Sequence, residues 1–377
     1  MIYLDYNATA TVEPRVLAAM MPYLEDRFGN PSSAHSKGRE AKAAITKAKQ
    51  QVADAIGAQP DEVIFTSGGS ESNNFVLKGL FLDPRHFCQG HLIISAFEHA
   101  AILKPAQYLA QLGVELTIVP CEPSGRIEPQ AVAAAIRPET RLVSIMHANN
   151  EIGTIQPIAE IAAICQAKGV LLHSDASQSV GKTAVDVNTL GVDFLTIAGH
   201  KVYAPKGVGA LYMRRGCALH PLIQGVGHEN GHRAGTENVA YQVALGHAMS
   251  LVQQEGTAHW REMAELRDLL WSLLEAGIGE GISQNGATVE RLPNTLSVNV
   301  PKVTGAALLA ACPELCASTS AACHSGQVSQ TVTQKAIDLS PEISAGTVRL
   351  SLGWHTSRAE IEQAARLLQA AWFSLVK

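Results

Sequence analysis

The sequence predicts an α/β chain: a mostly parallel seven-stranded sheet between helices, with a smaller α+β lobe attached. Three observations predict it. Short apolar runs alternate with longer amphipathic stretches through the first two-thirds of the chain. After about Gly256 that rhythm gives way to a long charged helix pattern and sparser strand signals. And 377 residues is long for one core, so two lobes are expected.

In chain order, Val63–Thr66, Leu92–Ser95, Glu115–Val119, Leu142–Met146, Val170–His173, Phe194–Ile197 and Gly209–Met213 read as strands. The helical patterns between them include Ser36–Ile56, Glu71–Gly79, Pro129–Ile136 and Pro157–Lys168. Such a βαβα succession calls for a parallel sheet covered on both faces. Beyond it come a helix pattern at His259–Leu274, strands at Thr295–Val300 and Thr347–Leu352, and a closing helix at Arg358–Leu375. The expected large lobe is 15–256, and 1–14 with 257–377 form the small one.

Composition excludes several classes. A net charge of −5, with no run of Lys or Arg, gives no electrostatic basis for binding nucleic acid or a membrane surface. No apolar stretch approaches the roughly 20 residues of a spanning helix. The start MIYLDYNATA resembles no signal or transit peptide, so the expected location is cytoplasmic. Seven scattered cysteines, an odd number, do not make a disulfide framework.

Candidate site residues cluster where strands end. Lys201 follows the run FLTIAGH, at the carboxyl edge where α/β proteins place their sites. A lysine there can condense with an aldehyde cofactor. Alone, a solvated surface lysine is the simpler reading; three further segments reverse that. In GVLLHSDASQ, Asp175 stands just past an apolar strand, able to face a pyridine nitrogen or to cap a helix. Gln178 lies three residues on. In VIFTSGGSESNN, a Gly-Gly turn with Gly69 and Ser70 opens a helix, a plausible cradle for phosphate. In ISAFEH, His99 could stack on an aromatic ring and move protons, or simply bond within a loop.

These segments resemble the NifS-like cysteine desulfurases, a branch of the class V aminotransferases with the type I fold of pyridoxal-5′-phosphate (PLP) enzymes. The match runs nearly end to end: LDYNAT (Leu4–Thr9), FGNPSS (Phe28–Ser33), FTSGGSESNN (Phe65–Asn74), SIMHANNEIG (Ser144–Gly153), HSDASQSVGK (His173–Lys182), GHKVYAPKGVGALY (Gly199–Tyr212) and RAGTEN (Arg233–Asn238). The resemblance implies PLP as cofactor, with Lys201 bound to it, Asp175 at the ring nitrogen and Gln178 at the ring oxygen. It places His99 on the ring, Ser70 and His200 at the phosphate, and Asn150 near the substrate carboxylate and ring oxygen. Thr236 would reach in from a partner subunit, which implies a homodimer with shared sites.

The stretch CASTSAACHSG (Cys316–Gly326) surrounds Cys323 with small and polar residues. A thiol there can be an exposed nucleophile or a buried small apolar group. By resemblance Cys323 accepts the substrate's sulfur as a persulfide, for transfer to an acceptor protein. Arg349, in TVRLSLG, is by the same resemblance the clamp for the substrate carboxylate; otherwise it forms a structural ion pair. Cys312 with Cys316, and His228 with His232, lack matching ligand partners, so no metal is assigned.

Two positions depart from the family pattern. Ala198 replaces a phosphate-binding serine, a loss of about 1 kcal/mol for one net hydrogen bond. Trp354 stands where relatives often have a second arginine.

The expected reaction converts L-cysteine to L-alanine. Because STSAACHSG, VDFLTIAGHK and RLPNT also resemble selenocysteine lyases, release of selenium from L-selenocysteine is the alternative.

Overall fold

The computed structural model describes residues 1–319 and 330–377 in full, and between them only the backbone of the paired strands Ala322–His324 and Gln327–Ser329.

Seven strands form one sheet. In spatial order they are Val63–Thr66, Gly209–Met213, Phe194–Ala198, Leu171–Asp175, Thr140–Ser144, His91–Ser95 and Glu115–Val119. The last five pair in parallel, whereas Gly209–Met213 runs antiparallel to both its neighbours. Alternation along each strand divides the apolar side chains between two cores. Phe65, Ile93, Val143, Leu172, Leu195 and Ile197 face one, and Ile64, Leu92, Ile94, Leu142, Phe194 and Leu211 face the other. Helices Gly69–Phe81 and Ala100–Gln111 cover the second core. Helices Ser36–Ile56 and Ile158–Ala167 cover the first.

Helix Ser36–Ile56 shows why local sequence suffices for some elements. Its buried residues Ala41, Ile45, Ala48, Val52 and Ile56 recur at three- and four-residue spacing. The His35 side chain accepts the Gly38 amide at its start, and Gly57 closes it in the left-handed conformation at φ 70°.

Most elements fall within two residues of the sequence expectation at each end, and three differences bear on the site or the core. The strand read as Val170–His173 continues through Asp175, because Ser174 and Asp175 keep the parallel ladder with Leu195 and Thr196. Asp175 is therefore the last residue of the strand rather than one past it. The strand read as Leu142–Met146 is Thr140–Ser144. The helix read as His259–Leu274 spans Val239–Ile278, 40 residues and about 60 Å. It passes unbroken through Gly256, where a Cβ would meet the Trp260 ring at 2.8 Å, so the glycine makes room for an indole one turn on.

The small sheet is antiparallel, in the order Ser318–Thr319, Thr347–Ser351, Thr295–Asn299 and Ser283–Gln284. Leu296, Val298, Val348 and Leu350 join the main apolar core, together with residues of the closing helix Arg358–Leu375. Their alternates are polar and buried: Thr295, Ser297, Asn299, Thr347, Arg349 and Ser351. The N-terminal segment lies along this polar layer. Ile2–Tyr3 pairs with Leu315–Cys316, Asp5 bridges to Ser351, and the Asn7 amide donates to Ser351 Oγ at 2.9 Å.

Candidate active site

A cavity of about 400 Å³ opens where the carboxyl ends of the large sheet's strands meet the polar face of the small one. Asp175 closes its strand at the cavity wall. Asn73 Nδ2 donates to its Oδ2 at 2.6 Å and the Ser177 amide to its Oδ1 at 2.9 Å, so both oxygens of this buried carboxylate are oriented.

Lys201 ends the single turn Gly199–Lys201 after strand Phe194–Ala198. Gly199 permits that turn, since a Cβ there would meet Val208 O at 2.6 Å. Lys201 Nζ donates to two main-chain carbonyls, Asn7 O at 2.5 Å and Ala8 O at 2.6 Å, and pairs with no carboxylate among the described residues. Burial, and then the Arg349 charge, lower its pKa to about 8; Asp5 and Asp175 work against that. The amine is therefore poised to lose its proton near neutral pH.

At the other end, the backbone turns at Gly68, φ 146°, and helix Gly69–Phe81 begins. Gly69 leaves little room: a Cβ would lie 2.9 Å from Ser177 Oγ, which would have to shift, and 3.4 Å from the Ala198 methyl. Ser70 is exposed at this helix start and lines the cavity, as does His200. His200 Nδ1 lies 3.1 Å from Thr9 Oγ1, and burial followed by Lys201, Lys206 and Lys182 lowers its pKa to about 4, which keeps the ring neutral. His99 caps helix Ala100–Gln111, its Nδ1 accepting the Ala101 amide at 3.1 Å. In the neutral ring the proton then sits on Nε2.

Arg349 enters from the small sheet. Its Nη2 donates to Asp5 Oδ1 at 2.7 Å and Ser318 Oγ at 3.1 Å, and its Nη1 to Asn150 O at 3.0 Å. Its buried Nε has no partner among the described residues.

Thus Lys201, Asp175, Gln178 and His99 share one cavity with Gly69, Ser70, His200, Asn150 and Arg349. Thr236 is exposed and does not line it. The Cys323 side chain lies outside the described residues. Ala198 lines the cavity with a methyl group, and Trp354 packs away from it, its ring centroid 4.5 Å from that of His259 and 4.3 Å from that of Tyr203.

Sequence reading passed over several residues that hold this arrangement. Asp5 and Asn7 belong to LDYNAT, and Lys182 closes HSDASQSVGK, so the motifs contained them without showing what they touch. Asn73 orients Asp175. Glu98, beside His99, is fully buried and accepts from Ser95 Oγ at 2.5 Å and the Met146 amide at 2.8 Å, and burial raises its pKa to about 8.

An amine with no carboxylate partner among the described residues, an oriented buried carboxylate and a guanidinium line one cavity on a mostly parallel sheet, the arrangement of an α/β enzyme that works on a small polar substrate. The chain belongs to the aminotransferase class-V family, whose model matches residues 2–364. The cysteine desulfurase IscS of Dictyoglomus turgidum is 42% identical over 370 residues, covering 98% of this chain and 93% of its own. A solved NifS-like protein superposes with a TM-score of 0.91 at 33% identity, over 98% of each chain. SspA, solved in complex with cysteine, gives a TM-score of 0.82 at 35% identity, over 95% of this chain and all of its own. These neighbours bear out the type I fold. Class-V aminotransferases and cysteine desulfurases depend on PLP, and the residues here fit it: an unpaired amine for an aldehyde, Asp175 for a ring nitrogen, and an open glycine turn at a helix start for phosphate.

Proposed function

We propose that this chain is a PLP-dependent cysteine desulfurase that converts L-cysteine to L-alanine and passes the sulfur through Cys323 to an acceptor protein. The observation that carries the reading is Lys201: a half-buried amine, free of any carboxylate partner among the described residues, in one cavity with Asp175 and Arg349. The near-full-length similarity to desulfurases supports it.

Bound PLP supplies an aldehyde that condenses with amines and a ring that takes up electrons from the substrate Cα. Lys201 would hold the cofactor and would move the proton at the substrate Cα. Asp175 would keep a proton on the ring nitrogen. Gln178 would donate an N–H to the ring oxygen, beside Asn150. Gly69, Ser70 and His200 would bind the phosphate, and His99 would lie at the ring with Nε2 available to carry a proton. Arg349 would hold the substrate carboxylate. The Cys323 thiolate then attacks the substrate sulfur. An S–S bond forms, the Cβ–S bond breaks, and Cβ keeps the electron pair and takes a proton, which leaves alanine and a persulfide.

In this reading 15–256 supplies the cofactor groups, and 1–14 with 257–377 supply Arg349 and Cys323. Thr236 serves the site of a second copy in a homodimer. No helix among the described residues is long and apolar enough to cross a membrane, in keeping with a cytoplasmic enzyme.

The test is alanine release from L-cysteine and L-selenocysteine, by the wild type and by Cys323→Ala. Turnover of cysteine that is lost in the variant supports the proposal. Turnover of selenocysteine alone overturns it in favour of a selenocysteine lyase.

A further inference from the structure

Lys182 is a buried amine that the proposed reaction does not use. It is 5% exposed, does not line the cavity, and is paired with no carboxylate among the described residues. Its Nζ donates instead to two amide oxygens, Gln178 Oε1 at 2.6 Å and Asn7 Oδ1 at 2.9 Å. A buried cation in such a place is costly, so what it holds is informative.

An ammonium donates and cannot accept, so both amides must turn their oxygens towards it. Gln178 is thereby forced to present its NH₂ on the other side, where Nε2 donates to the main-chain carbonyl of Asn7 at 3.0 Å. Asn7 is fixed likewise. Its Oδ1 also accepts from Asn294 Nδ2 at 3.0 Å, and its Nδ2 donates to Thr295 Oγ1 at 2.8 Å and Asn150 O at 3.2 Å. The same Asn7 carbonyl receives Lys201 Nζ. Burial, then the charges of Lys201 and Arg349, depress the Lys182 pKa; a neutral amine could also accept, but Gln178 Nε2 is held by the Asn7 carbonyl, which can only accept, and Asn7 Nδ2 by Thr295 Oγ1, so the two remaining N–H groups of Lys182 still meet the two oxygens.

We propose that Lys182 is a positioning residue: from behind the cavity wall it fixes the amides of Gln178 and Asn7. Gln178 then offers N–H and never oxygen to the cavity, and the Asn7 carbonyl stands where Lys201 is held. The inference deepens the proposed function and rests on it in one respect, that the acceptor for the Gln178 N–H is the ring oxygen of PLP.

The deciding measurement needs no cofactor. Side-chain amide hydrogen exchange is followed by NMR in the cofactor-free protein, with ¹⁵N-labelled Asn and Gln. The amides of Asn285 and Asn299, which bond to each other elsewhere in the small sheet, serve as internal controls. In Lys182→Met, exchange at Gln178 and Asn7 is expected to accelerate at least tenfold while both controls stay as in the wild type. Acceleration of all four together, as a merely structural role predicts, overturns the proposal, and so does acceleration of none. Lys182→Gln covers the case in which the Met variant fails to fold. Its amide is shorter than the lysine side chain by one bond and ends nearer its own backbone, so both bonds lengthen and at least one of the two side chains is expected to speed up; two slow amides in both variants overturn the proposal. The Kd for PLP is expected to rise about tenfold in Lys182→Met. If the wild type binds no PLP, the proposed function fails while the exchange result still decides the role of Lys182. Accelerated exchange with an unchanged Kd removes the Gln178 contact from the cofactor but leaves Lys182's hold on Gln178 intact.

Discussion

In the seven-stranded sheet the side chains of the cavity come from the ends of strands; in the four-stranded sheet Arg349 comes from the middle of one. Asp175 is the final residue of its strand, Lys201 sits in a turn, and Gly69, Ser70 and His99 stand at helix starts. Asp175 still pairs with Thr196, but the others lie beyond the ladder, so their side chains are free of its packing demands. Arg349 is fixed by the pleat. It opposes Ser297 on one side and Ser318 on the other, and its charge is met by Asp5 of the N-terminal segment. The large sheet thus holds chemistry that can change with little effect on the fold, whereas in the small sheet binding and stability share one side chain.

The first way to break this comparison is Lys201→Ala. Alanine release should fall by about 10⁴-fold with the thermal midpoint nearly unchanged, as measured by steady-state assay and melting. Unfolding of the variant would show that strand-end residues also carry the fold. Arg349→Lys should raise the KM for L-cysteine about 100-fold and also lower the melting temperature, because lysine cannot reproduce the fork that serves Asp5 and Asn150 together. Asp5→Asn removes the counter-charge of a largely buried guanidinium and should cost about 2 kcal/mol in denaturant unfolding. Ser70→Ala, at a strand-to-helix turn, should cost less than about 0.5 kcal/mol by the same measurement.

Glu98 sharpens the contrast, being the residue behind the strand ends most dependent on burial. Its carboxyl titrates near pH 8 in the fold, against 4.5 as the reference value. Between those values the unfolded chain releases a proton that the folded one keeps, so stability falls as pH rises from about 5 to 8. Glu98→Gln should flatten this slope, with a difference on the order of 1 kcal/mol between melts at pH 5 and pH 8. The smallest effect belongs to Ala198→Ser. A hydroxyl beside Gly69 should tighten PLP about fivefold and leave the affinity for pyridoxal, which lacks the phosphate, unchanged.

The strand-end groups were legible in the sequence because each belongs to a compact local motif. A glycine turn needs its φ, a strand end needs an apolar run, and both are written within a few residues of Ser70, Asp175 and Lys201. Arg349 could be placed on a strand, but its partner Asp5 lies 344 residues away and no local pattern points there. The same holds for Lys182 and Asn7, whose bond spans 175 residues. The change of texture after about Gly256 does not mark a change of element, because the glycine faces the Trp260 ring inside a continuous helix. The apolar run puts Asp175 just outside its strand, because Ser174 and Asp175 end that run before the ladder ends.

The N-terminal segment also has a consequence in time. Residues 2 to 7 meet Leu315, Cys316, Arg349 and Ser351, so this segment waits for partners up to 344 residues later in the chain. Closing so long a loop is entropically slow, and the pocket wall contributed by Asn7 cannot exist until it closes. Completion of the pocket is therefore a ring-closure event between two distant segments of the polypeptide, and it waits until Ser351 has been made.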